Sequence, residues 1–270
     1  MTRSLSGAAL APLAALALST VVAQTARANP RPLPYTYIYE TLPAGDAEVE
    51  VYTDLTPLRV IDANAAPAWL LASQFQVEIE YGLTPRLELG LYLTYAPSDP
   101  SLMFVPAMPE ATGVKQRLRY RFAEAGSWPI DLAVYGEVTE NQREIELEGK
   151  VILQRRFGPV RIAANAWVER EFYFRGAREW VLNPTAGVVL EKWITAQPGI
   201  EYWMRGEHAD GGGWVVGPEH YLGPTVILQF GKIWWSNGFY FRLNGLETPP
   251  IGSGIPYGAV WARTIVGISF

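Results

Sequence analysis

Lys115, Arg117, Arg119 and Arg121 stand at every second position of one short segment, and Glu144, Glu146, Glu148 and Lys150 do the same in another. Glu48 with Glu50 and Glu78 with Glu80 repeat the spacing, while Glu88, Asp131, Glu137, Glu169 and Glu201 add further acids. Residues two apart share one face of a β-strand, so each set is a charged stripe. Stripes of opposite sign can neutralise one another across a narrow interior. Held apart, they set up a transverse field that sorts small solutes by charge and dipole.

Groups suited to bond-making chemistry are few. The chain has no cysteine, which removes thiol nucleophiles, thiolate metal sites and disulfides. His208 and His220 flank the loop Gly211-Gly212-Gly213-Trp214. A lipid hydrolase would pair a serine with a histidine, and no His-x-Ser pairing is visible. Asp210 and Glu219 could join the two histidines around a metal only if the loop folded back; capping a solvated hairpin is the plainer reading. No metal or cofactor is therefore expected, and no Gly-rich phosphate loop occurs. The net charge of −5, without a Lys/Arg block, argues against nucleic acid as a partner.

The elements that carry the stripes read as strands throughout. Hydrophobic residues make up 49% of the chain, yet mean hydropathy is only +0.04, so apolar and polar residues must alternate. No apolar run after residue 28 is long enough to span a bilayer as a helix, which leaves strands as the only means of crossing. Val49 and Val51, and Phe75, Val77, Ile79 and Tyr81, form apolar faces behind the acids. The last strand shows Val260, Ala262, Thr264, Val266, Ile268 and Phe270 on one face. On a lipid-facing surface each midplane Lys or Arg would cost about 2–4 kcal/mol, so the stripes must face a lumen.

The expected fold is all-β: a transmembrane antiparallel up-and-down β-barrel of about twelve strands over residues 46–270. Pro184 and Pro224 fall within two of the strands and weaken them. Residues 1–28 read as a secretory signal, with Arg3, an apolar run from Ala8 to Ala23, and Ala26-Arg27-Ala28 before a cut after Ala28. Residues 29–45, with Pro30, Pro32, Pro34 and Pro43, read as an extended arm, either periplasmic or inserted into the lumen. Links after Tyr81, Phe122, Phe157, Trp193 and Phe230 are expected to be short periplasmic turns. Those near 55–68, 97–111, 207–219 and 244–256 are expected to be longer external loops. The aromatics before the short turns, together with Phe270, form a candidate girdle at one membrane interface.

The hairpin Tyr81-Gly82-Leu83-Thr84-Pro85-Arg86-Leu87-Glu88-Leu89-Gly90 and the terminal Phe270 resemble those of proteobacterial outer-membrane barrels. Among these is the porin-like family associated with meta-pathway phenol degradation. The resemblance implies an outer-membrane address, lipid as surroundings, and recognition by the barrel-assembly machinery through the strand ending at Phe270. It also implies a passive channel for small, aromatic or weakly polar solutes. A closed structural or surface-interaction barrel and a lipid-modifying enzyme are the alternatives. In the channel reading, Glu48, Glu50, Glu78, Glu80, Glu88, Lys115, Arg117, Arg119, Arg121, Asp131, Glu144, Glu146 and Glu148 line a constriction, with the arginines facing Glu88, Asp131 and Glu146.

Overall fold

The structure, a computed structural model, describes residues 29–61, 67–95, 113–245 and 258–270. Residues 1–28, expected to be a secretory signal, and most of the links expected at 97–111 and 244–256 lie outside the described residues. The strands are β1 (Ala47–Ile61), β2 (Pro67–Thr84), β3 (Leu87–Tyr95), β4 (Gly113–Arg121), β5 (Asp131–Asn141), β6 (Glu144–Phe157) and β7 (Val160–Tyr173). They continue as β8 (Arg178–Leu182), β9 (Thr185–Leu190), β10 (Ala196–Ala209), β11 (Trp214–Phe230), β12 (Ile233–Arg242) and β13 (Val260–Ser269). Each pairs antiparallel with its neighbours, and β13 returns to β1 from Glu48↔Ser269 to Leu55↔Ala262, which closes the sheet. Closure leaves no edge with unpaired backbone groups.

The barrel has twelve staves, because β8 and β9 are two halves of one. Both lie between β7 and β10. The interruption falls at Asn183-Pro184, where proline has no N–H to give the ladder. Pro224 is accommodated differently. The β11 ladder to β10 runs through Gly223 and Pro224, while pairing with β12 skips both residues and resumes in the same register.

An even number of staves puts both ends of the sheet at one mouth, here named the turn end. The links 85–86, 158–159 and 231–232 at that mouth are two-residue turns; Gly158 and Gly231 take a positive φ in the last two, whereas Pro85 holds φ negative in the first. Two expectations about loops fail. Residues 55–61 and 67–68 belong to β1 and β2, and the 207–219 link shrinks to 210–213 because β10 and β11 run on to meet it. Pro57, Pro67 and Pro218 read as loop residues, but strands in this barrel extend through them. The link after Phe122 is also longer than expected, spanning 122–130.

The two faces of each stave differ sharply. On β2, Val77 and Ile79 are exposed outward, whereas Glu78 and Glu80 between them are buried. On β4 the outward residues are Val114, Leu118 and Tyr120, and the inward ones include Arg117 and Arg119. The molecule is thus apolar outside and charged inside, the inverse of a water-soluble domain, and its outer surface is suited to hydrocarbon. No helix among the described residues is long and apolar enough to cross a membrane.

Candidate functional site

The inward face is not empty, because residues 29–45 fill its lower half. Asn29 starts at the turn end with its backbone N–H 3.2 Å from Glu48 Oε2. The chain rises to Tyr35 and Thr36, then descends through Tyr37 and Tyr39 to Gly45, which donates to the Gly82 carbonyl at 2.8 Å. Asn29 Nδ2 ties the two limbs together by donating to the Glu40 carbonyl at 3.3 Å. Leu33, Thr36, Tyr39 and Leu42 are completely buried.

Proline keeps this segment out of the sheet, so wall side chains take up its N–H groups. Glu201 Oε1 accepts from Tyr35 at 3.0 Å and Thr36 at 2.5 Å. Asn165 Oδ1 accepts from Tyr37 at 2.7 Å, Gln154 Oε1 from Tyr39 at 3.2 Å, and Glu88 Oε2 from Leu42 at 2.7 Å. Gly82 gives the returning limb room: a Cβ there would lie 2.0 Å from the Pro43 carbonyl oxygen. Arg31 brings a cation inward, 3.4 Å from Glu50 and stacked 3.5 Å from the Tyr37 ring centroid.

Beside the arm, the basic stripe meets acids from β2 and β3. Arg117 bridges Glu78 and Glu88, each at 2.7 Å, and also Glu80. Arg119 reaches Glu88 at 2.6 Å. Removing one member of such a buried group would leave the others uncompensated, at a cost of about 3–5 kcal/mol. Glu48 is met by Trp234 Nε1 at 3.0 Å and by Ser269 Oγ.

Of the acids expected beside the arginines, Glu88 contacts Arg117 and Arg119, while the places of Asp131 and Glu146 need correction. Arg121 does not face Asp131 or Glu146; it binds Glu124 at 2.9 Å and the Pro85 carbonyl at the turn end. Asp131 accepts from the Gly126 N–H at 2.6 Å, and Glu146 stands near the end of β6 remote from the turns, opposite Glu171. The Arg121 hydrogen bond and charge, with help from Arg86, hold the exposed Glu124 carboxyl below its ordinary range.

Above the arm is a cavity of about 320 Å³, with Tyr35 and Tyr37 in its lining alongside side chains from the upper barrel wall. Lys150 stands among three rings, 3.8 Å from Tyr135, 3.7 Å from Trp167 and 4.2 Å from Tyr37, and also pairs with Glu148. Lys115 reaches Glu137 at 3.0 Å, and Arg205 reaches Glu169 at 3.3 Å and Glu171 at 3.5 Å. Glu146 has no salt bridge or hydrogen bond among the described residues, and Glu144 accepts from Asn141 Nδ2 at 3.0 Å.

The six girdle candidates Tyr81, Phe122, Phe157, Trp193, Phe230 and Phe270 are all exposed and all lie at the turn end. The four groups considered for a metal are engaged separately. Asp210 pairs with Arg170, Glu219 with Arg242, His220 Nδ1 with the Tyr202 hydroxyl at 2.7 Å, and His208 packs on Trp214. What the sequence did not reveal is the set of arm hooks, Gln154, Asn165 and Glu201. Their only signal is a polar residue at an inward position, which many other positions share.

No protein-family model and no curated protein matches the chain. Solved structures do match. The COG4313 outer membrane channel from Pseudomonas putida F1 is similar over 86% of this chain and 98% of its own, at 14% identity and a TM-score of 0.58. The NanC porin is similar over 82% of this chain and 98% of its own, at 8% identity and a TM-score of 0.54. At these identities the likeness is one of fold: this chain has the architecture of outer-membrane channel barrels.

Proposed function

We propose that the chain is an outer-membrane, porin-like channel for passive movement of small solutes, inward or outward, and that residues 29–45 plug it at rest. The observation that carries this reading is how the arm is held. Its backbone bonds to side chains of the wall, so water can replace it at Glu88, Gln154, Asn165 and Glu201 without breaking the barrel's ladder. Fixing each arm residue costs about 1–2 kcal/mol of backbone entropy. That cost opposes the gain from its buried side chains, about 1.5–3 kcal/mol for each large apolar group. Opposing terms of similar size suit a segment that leaves and returns.

In this reading the turn end faces the periplasm, the six aromatics sit at that interface, and the terminal strand through Phe270 addresses the assembly machinery. The solute has an aromatic or weakly polar body, a class supported by the Tyr52, Tyr92, Trp167 and Trp203 rings around the cavity. The fully buried Arg117 cluster favours a second reading, a closed structural barrel.

Planar-bilayer recording separates the two. The chain starting at Asn29 should be silent or open briefly, and deletion of residues 29–42 should give sustained conductance. Silence from both, with the deletion variant folded and heat-modifiable, would favour the closed barrel.

A further inference from the structure

Strand register lays acids directly opposite acids in the upper barrel. Glu137 faces Glu148 across β5 and β6, and Glu148 faces Glu169 across β6 and β7. One step higher, Glu146 faces Glu171, which faces Glu179 on β8. Like charges directly opposite one another destabilise a sheet, and here three successive strand pairs contain them. The carboxylate oxygens of Glu137, Glu146 and Glu148 lie within 4.8 Å of one another, as do those of Glu146, Glu169 and Glu171, so the two groups share Glu146.

The charge count at this place does not close. Lys115, Lys150 and Arg205 pair with Glu137, Glu148, Glu169, Glu171 and Glu207, and Glu146 stands beside them without an ion pair among the described residues, so acids outnumber bases here. A separate observation points the same way. Asn183, at the break between β8 and β9, is 94% buried and lies on the wall of the cavity that Glu146 and Glu169 also line. Its Nδ2 lies 3.4 Å from Glu169 Oε1, while its Oδ1 accepts no hydrogen bond. A buried amide carbonyl without a donor calls for a partner, and beside an excess of carboxylates a cation can supply it.

We propose that Glu146, with carboxylates of its two groups and Asn183 Oδ1, binds a divalent cation. Every donor is a hard oxygen, which suits Ca²⁺ or Mg²⁺ and not a thiophilic metal. The many oxygens gathered here suit the six to eight ligands and irregular geometry of Ca²⁺ better than the near-ideal octahedron that Mg²⁺ demands. The turn-end acids are already supplied with donors. Glu48, Glu50 and Glu80 also crowd together, but Trp234, Ser269, Arg31 and Arg117 supply donors to them in a filled interior.

The test uses the chain from Asn29, purified in detergent and stripped with a chelator. Calorimetric titration with CaCl₂ should show one ion per barrel, and Tb³⁺ bound at the site should luminesce through Trp167. Glu146→Gln and Asn183→Ala should each weaken Ca²⁺ binding by roughly tenfold or more, while Glu124→Gln at the turn end leaves it unchanged. Melting adds a signature that a merely repulsive cluster would lack. Without calcium, Glu146→Gln should melt above the unaltered chain; with calcium, the order should reverse. If Glu146→Gln does not fold, Asn183→Ala carries the test. No saturable uptake at millimolar Ca²⁺, unchanged affinity in both variants, or no reversal of melting order would overturn the proposal.

Discussion

Asn165 grips Tyr37 with both ends of its amide: Oδ1 accepts from the Tyr37 N–H at 2.7 Å, and Nδ2 donates to the Tyr37 carbonyl at 3.0 Å. A side chain on β7 thus imitates a strand neighbour for a segment that has none. Tyr37 in turn lies beneath Arg31 and beside Lys150, so this residue joins the arm to the charged wall.

Replacing Asn165 with leucine should loosen the arm without opening the sheet. Two buried hydrogen bonds are together worth about 1–3 kcal/mol, which corresponds to roughly 5–150-fold faster hydrogen exchange at the arm amides. Asn165→Asp, which keeps the acceptor and loses the donor, should fall between. Mass spectrometry on peptides covering residues 33–39 reads the effect, and unchanged exchange in both variants would show that the amide does not hold the arm.

Val77→Arg and Leu118→Arg should hinder insertion, because each puts a cation on the outward face at a cost of about 2–4 kcal/mol near the midplane. Glu78→Gln is inward and isosteric and leaves Arg117 two other acids, Glu80 and Glu88, so it should insert with less loss. The folded fraction after dilution from urea into lipid vesicles, seen as a heat-modifiable band, gives the comparison. Equal damage from both sets would reverse the assignment of faces.

Arg117→Met should lower stability by about 3–5 kcal/mol, since it takes from buried Glu78 its only cation among the described residues and leaves Glu80 and Glu88 to Arg119 alone. Arg121→Gln touches an exposed pair at the turn end and should cost no more than about 1 kcal/mol. Denaturant titration in micelles measures both. A small loss at Arg117 would mean that water reaches the cluster.

The faces were legible in the sequence because a period of two is written residue by residue: an inward Glu78 implies an outward Val77 and Ile79. The partners of the arginines were less so. Register places Arg119 opposite Glu88 and Arg117 opposite Gly90, whose missing side chain admits the guanidinium. That pairing depends on how β3 and β4 align, and their own residues show no trace of it. The course of the arm was not legible at all. A proline-rich segment has no period, and its acceptors Gln154, Asn165 and Glu201 lie more than a hundred residues away. Pro57 and Pro218 misled for a related reason: they mark a break in one ladder bond, and a closed sheet carries the strand past it.

The arm enters and leaves by the same mouth, at Asn29 beside Glu48 and at Gly45 beside Gly82. In topological terms it is a finger pushed into a sleeve rather than a thread drawn through one. It can withdraw without either end of the polypeptide passing along the barrel, and the barrel can close before or after the finger is in place. At Gly45 a φ of 90°, which few other residues adopt, turns the finger's returning limb into the first stave.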